Sequence, residues 1–125
     1  MKNYQKLGID FEVDEIFFKI NINGTEFKIR HVHMSNDVLG YAYKIGEEYI
    51  QKKKEILKFV CEDLSQFYMG YTEEEIIDGL GTPYIEIIRD NMGVIVWLEN
   101  KLDEHIIECE FGKDEMELYR VCVDG

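Results

Sequence analysis

Serine and proline are nearly missing from this chain: Ser35, Ser65 and the single Pro83 are all it has in 125 residues. So few serines leave no GxSxG elbow for a nucleophilic hydroxyl. One proline and ten scattered glycines leave no linker-like tract, so residues 1–125 read as a single domain. Cysteine is scarce too. Cys61, Cys109 and Cys122 are odd in number and none forms a CxxC pair, which points to reduced, buried thiols of a cytosolic protein rather than a disulfide framework. Long apolar runs are lacking, far short of the ~20 residues a membrane helix needs. The opening MKNYQKLGIDFEVDE has lysines but no apolar stretch before its first acids, which predicts no secretory signal.

Positive charge is the other shortage. Fourteen lysines and arginines stand against 26 acids, for a net charge of −12. Residues 1–34 carry five acids and five bases, residues 35–70 six and five, and residues 71–125 fifteen and four. Nearly all the imbalance thus sits at the C-terminal end. In LDEHIIECEFGKDEMEL (102–118), seven carboxylates face one lysine. Such a field repels nucleic acid and anionic membranes and attracts basic partners, although an acidic surface also simply favours solubility.

What is present is enough apolar material for a core: 46% hydrophobic residues, sixteen of them Phe, Tyr or Trp. EIFFKININGTEFKIRHVH (15–33) is the clearest local signal. Two alternating segments flank Asn23-Gly24, the pair that best tolerates the positive φ angles of a type I′ turn. That turn sets Ile22 opposite Thr25, Ile20 opposite Phe27, Phe18 opposite Ile29 and Ile16 opposite His31. One face of the hairpin is then almost wholly apolar.

Residues 35–46, SNDVLGYAYKIG, are ambiguous between loop and short helix, because Gly40 and Gly46 interrupt them. From Glu47 the pattern is helical: Tyr49, Ile56, Val60, Leu64 and Phe67 recur at helical spacing, and Lys52, Lys53 and Lys54 form a solvated face. TEEE at 72–75 is a capping box opening a second, short helix, which Pro83 prevents from continuing. Four strand-like segments follow near 84–88, 94–99, 105–111 and 116–123. The expectation is an α+β fold: an N-terminal β-hairpin, one long and one short helix, then four antiparallel strands, with the helix packed on one face of the sheet. The other face has no obvious cover.

Chemistry is harder to find. His31 and His33 alternate at a strand end and His105 opens another, so a metal-dependent enzyme using these histidines is one reading, but no HExxH or CxxC accompanies them. The GLG at 79–81 follows a helix, whereas phosphate-cradling loops precede one. Neither a catalytic residue, nor a metal, nor a cofactor is expected. A surface is the better candidate. If Val94, Val96 and Leu98 face the helix together with His105, Ile107, Cys109 and Phe111, the uncovered face carries Ile95, Trp97, Ile106, Glu108 and Glu110. Tyr84, Glu86 and either Tyr119 or Arg120 would join them. On that reading Trp97 is the apolar anchor of a protein interface, Glu86, Glu99, Glu108 and Glu110 are its charge partners, and Asp103, Glu104, Asp114 and Glu115 form the rim. The alternative is that Trp97 belongs to a minor core.

The succession of an NG hairpin, an amphipathic helix, GYTEEEIIDGL, YIEI, a Trp-bearing strand, EHIIECEF and a terminal VDG resembles small bacterial α+β immunity proteins of polymorphic toxin systems, including contact-dependent growth inhibition. The resemblance covers most of the chain from about residue 13. It implies a cytoplasmic, non-enzymatic inhibitor, a monomer or weak dimer, that neutralises a basic toxin domain, in many cases a nuclease, and touches neither nucleic acid nor membrane. A cytosolic interaction module or homo-oligomer of another role is the alternative.

Overall fold

The computed structural model describes residues 11–13 and 16–124. Most of the opening segment read for a secretory signal lies outside the described residues. Strands β1 (Phe11–Val13), β2 (Phe17–Ile22) and β3 (Thr25–Arg30) come first. A single turn of 3₁₀ helix, His31–His33, leads into helix α1 (Asn36–Phe67) and then α2 (Glu73–Gly79). Strands β4 (Tyr84–Arg89), β5 (Met92–Trp97), β6 (Ile106–Gly112) and β7 (Glu117–Asp124) complete the chain. The strands form one sheet in sequential order from β1 to β7.

The hairpin has the expected register, with Ile22 opposite Thr25, Ile20 opposite Phe27 and Phe18 opposite Ile29. Asn23 and Gly24 take φ of 52° and 88°, as a type I′ turn requires, and the Gly24 N–H donates to Asn21 Oδ1 at 3.0 Å. The pairing ends one residue pair early. His31 leaves the strand, its N–H bonds the Ile16 carbonyl at 2.9 Å, and its ring stacks on Phe18 with centroids 4.4 Å apart.

Residues 36–46 are helix, not loop. Ser35 is the N-cap of α1 and its hydroxyl accepts the Val38 N–H at 3.1 Å. Val38, Leu39, Ala42, Ile45 and Gly46 continue the buried stripe of Tyr49, Ile56, Val60 and Leu64, so one uninterrupted helix of 32 residues results. Gly46 is where it touches the hairpin: a Cβ there would stand 2.5 Å from Ile22 Cγ2. The opposite flank of α1 reaches the other end of the strands, where Tyr41 Oη donates to the Lys113 carbonyl at 2.6 Å. The helix therefore straddles the sheet. The capping box of α2 forms as expected, with Thr72 Oγ1 accepting from the Glu75 N–H at 3.2 Å and Glu75 Oε1 accepting from the Thr72 N–H at 2.9 Å.

The four C-terminal strands are antiparallel throughout, but β4 joins the hairpin in parallel with β3. A crossover through two helices permits this, whereas a short loop cannot. Residues from both helices and from β2 to β6 meet in one core, centred on Phe27, Leu39, Ile45, Ile85, Ile95, Trp97 and Phe111. Among the described residues, both helices lie on this side of the sheet. No helix of the described residues is long and apolar enough to cross a membrane.

Candidate functional site

Strand register fixes what the sheet face opposite the helices displays. One row across the sheet runs Lys19, Lys28, Glu86, Val94, Glu110, Arg120. The neighbouring row runs Asn21, Glu26, Tyr84, Val96, Glu108, Cys122. The face is thus apolar and aromatic at its centre (Tyr84, Val94, Val96), basic towards the hairpin, and acidic on β4 and β6.

Trp97 is not on it. The indole is 1% exposed and packs in the core. Trp97 lies opposite Ile107 and Ile95 opposite Cys109, so both turn towards the helices, and Val94 and Val96 turn away. The expected orientation of β6 is correct and that of β5 is inverted. Both faces of β5 are apolar, and alternation alone cannot orient such a strand; the bulkier pair fills the space under the helix. Trp97 is therefore a core residue and not an interface anchor.

The eight carboxylates expected to act together are divided by the fold. Glu86, Glu108 and Glu110 share the open face. Glu99, Asp103 and Glu104 follow β5 or precede β6 and lie at the end of the sheet where Tyr84, Ile106 and Asp124 lie. Asp114 and Glu115 lie at the opposite end, in the β6–β7 turn. There they line a groove of about 940 Å³ against Lys52, Ile56 and Phe59 of α1, and the Glu115 carbonyl accepts from Lys52 Nζ. Asp103 is occupied within the chain. Its Oδ1 accepts from Tyr68 Oη at 2.9 Å, Asn100 Nδ2 at 3.0 Å and the His105 N–H at 2.9 Å, and its Oδ2 lies 2.8 Å from His105 Nδ1. Burial opposes ionisation of this carboxyl, but the bonds from His105 and Tyr68 outweigh it and hold its pKa below the usual range. Asp103 thus ties the β5–β6 loop to the end of α1.

On the open face, two acids have cations beside them. Arg120 Nε donates to Glu110 Oε2 at 2.8 Å, and Arg30 Nε lies 3.8 Å from Glu86 Oε2. Lys28 Nζ sits 4.1 Å from the centre of the Tyr84 ring, a cation–π contact. Glu108 differs. Its neighbours are Asp124, Glu110 and Glu86, and a hydrogen bond shared with Asp124, burial and the field of those three acids push its pKa up to about 7. The same crowding raises the Tyr84 phenol, through burial first and then Glu86, Glu108 and Glu26.

The sequence reading missed Glu26, Val94, Val96 and Asp124 as members of this face. Glu26 was recoverable from the hairpin alternation only once β3 was known to pair with β4, and that parallel contact leaves no local mark. The histidines do not converge. His31 and His33 lie beyond the C-terminal end of β3, and His105 precedes β6, at the other end of the sheet. Among the described residues, no three metal-ligating side chains gather. Comparison with protein-family profiles, curated sequences and solved structures found no match.

Proposed function

We propose that this chain is a non-enzymatic protein-binding inhibitor of the immunity type, which neutralises a cationic bacterial toxin domain through the open face of its sheet. The observation that carries the reading is Glu108. A carboxyl that faces Asp124, Glu110 and Glu86, and whose pKa that crowding raises, marks a place where this chain supplies too few cations of its own. A lysine or arginine brought there by a partner stabilises the ionised form and relieves that crowding. Tyr84 and Val94, both partly exposed, offer the apolar centre that a protein interface needs, with Val96 buried between them and Glu26, Glu86 and Glu110 around. Glu99 and Glu104 extend the negative field past the strand ends. Asp114 and Glu115, at the far end of the sheet, belong to a separate surface.

The test begins with the neighbouring gene. A large secreted protein with a basic, variable C-terminal domain encoded beside this chain is expected, and that domain should bind it and lose its toxicity on co-expression. A neighbourhood of metabolic genes, or a basic domain that remains toxic and unbound, contradicts the reading.

A further inference from the structure

Strand β7 is the last in the sheet, and among the described residues it pairs with β6 alone. Along this eight-residue strand, alternate residues turn their backbone N–H and C=O away from β6 and form a template for another strand. The edge is not uniform. The register with β6 shifts between Glu110 and Phe111, which leaves Tyr119 as an extra residue, whereas Arg120 to Asp124 pair regularly. In that regular half, Val121 and Val123 pack against the core yet stay only partly buried, while Arg120 and Asp124 are exposed. Arg120 bonds Glu110 through Nε, one of its five N–H donors.

These residues are self-complementary in one register. Two copies related by a two-fold axis perpendicular to the sheet must oppose residues of the same face. Centred on Arg120, the pairing brings guanidinium against guanidinium. Centred on Val121, it sets Asp124 against Leu118. Centred on Cys122, it sets Arg120 opposite Asp124 twice and Val121 opposite Val123 twice. The first pair lies on the open face and the second on the helix face. We infer that residues 120–124 of β7 pair antiparallel with the same segment of a second copy, about Cys122, and join two sheets edge to edge. The open faces of both copies then continue into one surface. This rests on the strand edge and not on what the open face binds.

Sedimentation velocity over a concentration series tests it. The protein should dimerise. Arg120→Asp and Asp124→Arg should each weaken the dimer roughly tenfold, since each removes two ion pairs and creates like-charge contacts. The double variant, which restores opposite charges across the two-fold, should recover most of the affinity. Cys122 supplies a second readout, because opposed residues in antiparallel strands have Cα atoms roughly 4.5–5.5 Å apart, within disulfide range. Diamide should oxidise the two Cys122 thiols to one intermolecular disulfide, taking up two electrons and two protons, and Cys122→Ser should abolish that species. A monomer at every concentration, a dimer indifferent to the charge changes, or a cross-link that survives Cys122→Ser overturns the proposal.

Discussion

Trp97 shows at the scale of one residue how a sequence misleads. VIVWLE is apolar on both faces, so no alternation says which way the indole turns, and tryptophan at an interface is a reasonable expectation. The pairing with Ile107 decides it. As a core residue, Trp97 should make Trp97→Ala cost about 3–5 kcal/mol in urea unfolding. A loss under 1 kcal/mol would return the side chain to the surface. Glu108 is the opposite case. Its membership of the open face was legible from HIIECEF, but its environment was not, because Asp124 comes from the neighbouring strand β7 and Glu86 from β4, beyond β5. Since folding raises its pKa from an ordinary 4.5 to about 7, the fold favours the protonated carboxyl. That contribution is complete below about pH 4.5 and lost as pH rises through about 7. The displacement sets an upper bound of ~3 kcal/mol, which solvent screening at this partly exposed position reduces to ~1 kcal/mol. Glu108→Gln should therefore unfold like the parent at pH 4 and be the more stable of the two at pH 8. Equal stabilities at both pH values would remove the carboxyl crowding.

At the scale of elements, the hairpin, the last two thirds of α1, α2 and the four last strands were all readable, because each carries a local signal: a turn pair, a periodic stripe, a capping box, or alternation between turns. The first three turns of α1 were not, since Gly40 and Gly46 mask the stripe of Val38, Leu39, Ala42 and Ile45. The two glycines have different physical meanings. Gly46 permits the helix to approach Ile22 and Phe27, whereas nothing stands within 4 Å of a Cβ at Gly40. Gly46→Ala should cost about 1–3 kcal/mol through overpacking, and Gly40→Ala should add about 0.5–1 kcal/mol through helix propensity. Thermal melts of the two variants that moved in the same direction would contradict this contact between helix and hairpin. The parallel pairing of β3 with β4 was illegible for another reason. It is a long-range contact made possible by the crossover, and no short stretch of sequence records it.

For the whole molecule, the charge imbalance was plain in the sequence, but its arrangement was not. Nearly all the excess acids lie beyond residue 70, yet the fold sends them to four places: helix α2 with Glu73, Glu74, Glu75 and Asp78, the open face with its Glu108 cluster, the β5–β6 loop at one end of the sheet, and the turns at the other end. Some are neutralised internally, as Glu110 is by Arg120 and Lys113 pairs with Glu117 at 2.9 Å. Steering of a basic partner should thus be concentrated on the Glu108 end of the open face and not spread over the C-terminal half. The most direct measurement is the association rate between this chain and the basic domain that the proposed function expects to be encoded beside it, for the parent and for Glu108→Lys/Glu110→Lys, at low and high salt. The expected result is an association rate at least tenfold slower for the double variant at low salt, with dissociation little changed and the difference mostly gone at high salt. An association rate unaffected by the double change at low salt would contradict the assignment of this face as the binding surface.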